Sequence, residues 1–239
     1  MRAAPAPGFV GLLRLDTRFP RPIGDVGNPN SYRFPVRERV VAGATARRVV
    51  QGDATALLGP FVEAGLELVE AGAVAITTSC GFLAPFQHEL AAALPVPVAA
   101  SSLVQVAWLT TLLPPGRRVG VLTIDAHALG PAHLAAAGAP ADTPVVGLPP
   151  DGALATTVFT DRPTLDRTRA CAEVVEAGRR LHAAVPALGA IVLECTNLPP
   201  YRDALARAVG VPIHDIGTLL AWLWAGAARP QPDPQDVPA

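Results

Sequence analysis

Apolar positions along the chain follow two alternating patterns. Short runs rich in Val, Ile and Leu, at 9–15, 73–78, 96–100, 118–124, 144–148, 190–194 and 211–214, predict strands. Longer Ala- and Leu-rich stretches at 54–71, 85–93, 102–113, 164–184 and 200–209 predict helices. Strands alternating with helices imply βαβ units and a parallel sheet. The strand runs are apolar at nearly every position, as burial on both faces requires. Residues 14–40 break the pattern. They are rich in Arg, Pro, Gly and Asn and show no period, the mark of a functional loop, a surface excursion or an oligomer contact. The Pro-rich segment 229–239 reads as a disordered tail.

The pattern also repeats. VGLLRLDT from Val10 matches VGVLTIDA from Val119 at four of eight positions, an offset of 109 residues. CGFLAPFQHELAAALPVPV from Cys80 matches CTNLPPYRDALARAVGVPI from Cys195 at eight of nineteen, an offset of 115 residues. The offsets differ by six residues, one loop's insertion. A repeat on this scale predicts two similar α/β halves, Rossmann-like or flavodoxin-like, with parallel sheets related by a pseudo-two-fold axis. The first spans 1–110, with some exchange of C-terminal residues, and the second spans 111–228.

In each half the matched cysteine follows a strand and precedes a proline-opened helix. Ligands of parallel α/β sheets sit beyond the carboxyl ends of the strands. Cys80 and Cys195 are therefore expected on the two sides of one cleft between the halves. Inversion of a carbon acid needs a base on one face and an acid on the other, and a thiol can do either task. A position before a helix N-terminus favours the thiolate, and its N–H groups suit a carboxylate or enolate oxygen.

Composition narrows the chemistry. Half of the 239 residues are hydrophobic and 16% are charged, which excludes disorder over most of the length. A net charge of −1 offers nothing to hold nucleic acid. No apolar run reaches membrane-spanning length and the start lacks a signal-peptide core, so a cytoplasmic protein without membrane contact is expected. All 19 basic side chains are arginine. With no lysine there is neither a Walker-A loop nor a Schiff-base attachment for pyridoxal phosphate. Three cysteines without a CxxC pair suggest neither a disulfide framework nor a zinc site. No cofactor and no metal are expected.

These motifs resemble the Asp/Glu racemase superfamily, which includes glutamate, aspartate and hydantoin racemases. Asp16-Thr17 resembles the family's Asp-Ser after its first strand, TTSCG at 77–81 its first catalytic cysteine, LECTNLP at 193–199 its second, and VPIHD at 211–215 the strand that follows. The resemblance implies 1,1-proton transfer without a cofactor, in a racemase or epimerase of an amino acid or related carbonyl compound. It makes Cys80 and Cys195 the acid/base pair and Asp16 the carboxylate that orients or activates a thiol. Thr17, Gly81, Phe82, Thr196 and Asn197 would then line the site of a carboxylate or hydantoin-type substrate. Gly81-Phe82 and Asn197 depart from the glutamate-racemase pattern, which has Asn-Thr after the first cysteine and His after the second Cys-Thr.

Asp16 reads equally as a helix cap, Asp125 as a cap and Cys171 as a structural residue. Decarboxylation of a malonate and isomerisation of maleate occur on the same architecture, and a non-catalytic small-molecule binder is the third alternative. Homo-oligomerisation is allowed but not specified.

Overall fold

The computed structural model describes residues 8–227, so the tail at 229–239 lies outside the described residues. Its strands are β1 (Phe9–Leu15), β2 (Val36–Val41), β3 (Ala73–Thr78), β4 (Val98–Ala99), β5 (Arg118–Thr123), β6 (Val145–Gly147), β7 (Leu188–Leu193) and β8 (Ile213–His214). Its helices are α1 (Ala46–Gln51), α2 (Leu58–Glu70), α3 (Gln87–Ala93), α4 (Gln105–Leu112), α5 (Pro131–Ala136), α6 (Ala153–Phe159), α7 (Arg167–Ala184), α8 (Arg202–Val209) and α9 (Ile216–Ala227). They build two four-stranded sheets, ordered β2-β1-β3-β4 and β6-β5-β7-β8, with every pairing parallel.

The repeat is the fold. β1 and β5 start 109 residues apart, while β3 and β7, and β4 and β8, start 115 apart. The register agrees: Phe9 pairs with Ala73 and Arg118 with Leu188, each followed by the same one-residue shift. The glycine repeated in VGLL and VGVL has a packing reason. A Cβ on Gly11 would lie 3.1 Å from Leu68 of α2, and one on Gly120 2.8 Å from Leu181 of α7. Each helix crosses its sheet over a residue without a side chain.

The final helices exchange partners. α4, which follows the first sheet, packs on β5 and β7 of the second. α9, which follows the second, lays Ile216, Leu219, Leu220 and Leu223 on Val10, Leu12 and Ala99 of the first. The aperiodic segment 14–40 departs from expectation by containing β2. That strand's VRERVV is exposed at most positions, because it sits at a sheet edge and needs no apolar run. α9, α1, α5 and α6 also lie outside the predicted helices.

Candidate active site

Both sheets end at one place. The crevice between β1 and β3, where the strand order turns back, is the expected ligand site of such a sheet, and Cys80 lies just beyond β3. Cys195 stands at the same point beyond β7. Both are free thiols, buried, and line one cavity together with Gly81, Phe82, Thr196 and Asn197. Leu15, Phe19, Ile124 and Val158 complete its apolar wall. The space open to the centre of a water molecule is only about 20 Å³, close to what one water requires. Phe19 is held over it by backbone: the N–H groups of Arg18 and Phe19 both donate to Asp161 Oδ1, at 2.6 and 3.0 Å.

The backbone two residues on, at Phe82 for Cys80 and at Asn197 for Cys195, pulls each thiol down and so favours the thiolate. Opposing forces are larger. Burial pushes both thiols up, and the Glu194 carboxylate pushes them further. Arg21 pulls Cys80 back down, whereas Asp25 adds to the upward push on Cys195. Cys195 also donates weakly to Asn197 Oδ1, at 3.6 Å.

That amide is itself anchored. Asn197 Nδ2 donates to Asp25 Oδ2 at 2.7 Å, and Arg21 pairs with Asp25 Oδ1 at 2.9 Å. Asp25 is buried, and its charge is matched by the guanidinium beside it. The loop after β1 thus brings a buried ion pair to the amide that orients Cys195. Further bonds tie the halves at the cavity: Thr196 Oγ1 donates to the Ser79 carbonyl at 2.6 Å, and Ser102 Oγ to the Leu193 carbonyl at 2.6 Å.

The structure gathers six of the eight residues expected at the site and leaves out Asp16 and Thr17. Asp16 is exposed and accepts the Gly43 N–H at 3.1 Å. Thr17 is buried but outside the cavity lining, where it accepts a bond from Arg21. The carboxylate beside the thiols is instead Glu194, fully buried on the cavity wall. Its Oε2 accepts from Thr123 Oγ1 at 2.6 Å, and its Oε1 has no hydrogen-bond partner among the described residues. Burial raises its carboxyl to about 8. A signal was present in the sequence: an acid directly before a cysteine at the end of an apolar strand, where the other half has Ser79. Asp25 gave none, because Asn197, the partner that ties it to the site, is 172 residues away.

Asp125 caps a turn, accepting the N–H groups of His127 and Ala128. Among the described residues no cluster of three or more His, Cys, Asp or Glu could hold a metal, and no helix is long and apolar enough to cross a membrane.

Solved structures share this architecture. A glycine-to-cysteine variant of arylmalonate decarboxylase, in a sulfate-associated form, superposes with TM-score 0.62 at 19% identity, covering 94% of this chain and 97% of that one. A glutamate racemase from Bacillus anthracis gives 0.53 at 15% identity, covering 92% and 82%. At such identities the likeness is one of fold. No family model matches the chain. Curated sequences come closer. The dimethylsulfoniopropionate lyase of Durusdinium sp. clade D is 30% identical over 214 residues, 86% of this chain and 70% of that protein. Dimethylsulfoniopropionate lyase 5 of Emiliania huxleyi is 31% identical over 231 residues, 92% of this chain and 45% of that protein. The chain thus spans less than half the length of the Emiliania relative. It belongs to the family of these lyases.

Proposed function

We propose that the chain is a carbon–sulfur lyase that removes the proton α to a carboxylate and expels a sulfide from the β-carbon, with dimethylsulfoniopropionate as substrate. The observation that carries this reading is the pair of buried thiols on one cavity, in a chain whose curated relatives bear that activity in their names. Cys80 is the base, since Arg21 favours its thiolate while Cys195 is hydrogen-bonded as a donor. The Cys80 thiolate takes the α-proton, and the C–H electron pair becomes the Cα–Cβ double bond. The β-carbon–sulfur bond breaks, and its pair leaves with dimethyl sulfide. Acrylate remains, and the proton on Cys80 passes to solvent after product release. The negative charge that develops on the carboxylate meets the N–H groups that open the segments after each cysteine. The narrow cavity opens for substrate by displacement of Phe19, whose backbone tether to Asp161 is exposed at the Arg18 end.

The second reading keeps both thiols in the chemistry, as a racemase or epimerase passing one proton between Cys80 and Cys195. The matched places of the two thiols beyond β3 and β7, on one cavity, favour it. One experiment separates the readings. The protein is incubated in D₂O with dimethylsulfoniopropionate, amino acids, hydantoins and aryl malonates, with headspace gas and proton NMR followed together. Dimethyl sulfide and acrylate in equal amounts, lost in Cys80→Ala, are expected. Deuterium entering an amino acid or hydantoin without gas would replace the lyase reading by the racemase one, and CO₂ release from a malonate would replace it by decarboxylation.

A further inference from the structure

We propose that Glu194 is the residue by which this site selects its substrate: its buried, unpaired Oε1 receives a methylated onium group carried β to the substrate carboxylate. The inference rests on the lyase reading for the identity of that substrate, and on the geometry of Glu194 for everything else. A fully buried carboxylate is costly unless it is paired. One oxygen of Glu194 is satisfied by Thr123, and the other is not satisfied within the described residues. The arginine that reaches this region, Arg21, is already committed to Asp25 and Thr17.

The fold itself does not require an acid here. The equivalent position of the first half is Ser79, whose Oγ accepts the Leu15 N–H at 2.9 Å. The opposite wall is kept clear for the carboxylate. A Cβ on Gly81 would collide with Glu194 Oε1, so any side chain there would displace it. Around it, Leu15, Phe19, Phe82, Ile124 and Val158 form an apolar lining. That lining suits methyl groups, and an aromatic ring attracts a quaternary cation. Once Phe19 is displaced, such a lining suits a charged centre that carries methyls and donates no hydrogen bonds.

The same contact couples binding to chemistry. An ionised, unpaired Glu194 opposes ionisation of both cysteines. A cation seated on Oε1 draws the proton off Glu194 and neutralises the charge so formed, so the carboxylate ionises without opposing the thiolate that takes the substrate proton. A substrate with a second carboxylate in place of the cation would meet like charge, and a neutral one would leave Glu194 unpaired. The pocket then discriminates by the cost of the wrong occupant as well as by attraction to the right one.

The test is calorimetric binding at pH 8 of two ligands of equal shape to the full chain. 3-(Trimethylammonio)propanoate carries the cation and 4,4-dimethylpentanoate is its neutral isostere. The wild type is expected to bind the cation at least about tenfold more tightly, a difference near 1.4 kcal/mol. Glu194→Gln, which keeps the side-chain shape and an acceptor for Thr123, is expected to bind the two within about twofold. Repeating the titration in two buffers of different ionisation enthalpy should show proton release with the cation in the wild type and none in the variant. A wild type that prefers the isostere, or binds neither ligand, overturns the proposal without recourse to any variant. So does a Glu194→Gln protein that keeps the full preference. Dimethyl sulfide release by the wild type is measured alongside. Release with no cation preference sinks the Glu194 assignment alone, whereas cation preference without release sinks the lyase reading and leaves Glu194 standing.

Discussion

The two halves of the molecule share a sheet order and a thiol at the same strand end. They differ in what surrounds that thiol. Cys80 lies between Ser79, which serves the backbone, and Gly81-Phe82. Cys195 lies between the buried acid Glu194 and Thr196-Asn197, with Asp25 and Arg21 behind the amide. One wall is apolar and the other is charged and hydrogen-bonded. A duplicated frame determines where chemistry can occur, and the unmatched residues determine what each copy contributes.

If that asymmetry is chemical, the two thiols are not interchangeable. Cys80→Ala should lower kcat/KM for dimethyl sulfide release by about 10³-fold or more, the upper part of the range for a lost general base. Cys195→Ser, which preserves a donor to Asn197, should cost about tenfold. Steady-state kinetics on both variants decides it. Equal collapse would restore the symmetry and point back to proton transfer between two thiols.

The next largest effect concerns a part of the first half that the second does not copy. The loop between β1 and β2 carries Arg21 and Asp25 into the interior, and Asp25 is buried with that guanidinium and the Asn197 amide. Asp25→Ala leaves Arg21 without its partner and Asn197 without its acceptor. A loss of about 3–5 kcal/mol in denaturant unfolding is expected, as when one partner of a buried pair is removed. A loss under about 1 kcal/mol would mean the pair is solvated and the loop is only a surface excursion.

The contrast between these two regions also marks what the sequence reveals. β1 and β3 are predicted at Phe9–Leu15 and Ala73–Thr78 and lie there, because a doubly covered strand reads as a nearly continuous apolar run. The cysteines are legible because the repeat aligns them. β2 is missed because an edge strand bears Arg and Glu, and the Asp25 contact because nothing local marks a bond to Asn197, 172 residues away. Asp16 follows its strand as the family pattern leads one to expect, yet its side chain turns outward to Gly43. A motif can place a residue at a strand end without placing its carboxylate in the cavity.

Glu194 sharpens the comparison through pH. Its carboxyl is raised from 4.5 to about 8, chiefly by burial. The folded chain therefore holds this proton more tightly than the unfolded chain. The stability it confers is full below the unfolded value near 4.5 and is lost as pH rises through about 8. Glu194→Gln removes the titrating group. It should be close to neutral at pH 5 and stabilising by a few kcal/mol at pH 9, since each tenfold difference in proton affinity between the folded and unfolded chain corresponds to about 1.4 kcal/mol. Thermal unfolding of both proteins from pH 4 to 9 measures the crossing. Parallel curves would show that Glu194 is solvated, as Ser79 could be without consequence.

The smallest effect tests the symmetry at the axis itself. Where Thr196 of one half meets Ser79 of the other, a hydroxyl reaches the Ser79 carbonyl at 2.6 Å. The reciprocal meeting is Gly81 against Glu194, and there a Cβ would strike both the Glu194 carbonyl oxygen and Oε1. A side chain fits opposite serine and none fits opposite glutamate. Gly81→Ala should therefore cost about 1–3 kcal/mol, as overpacking does. Glu194→Ser removes the carboxylate but leaves the carbonyl, so the cost of Gly81→Ala in that background should shrink without vanishing. A double-mutant cycle in denaturant reads the coupling, expected at about 0.5–1 kcal/mol. Zero coupling would assign the glycine wholly to the backbone contact, and the close seat of Oε1 on Gly81 would then be a by-product of how the halves pack.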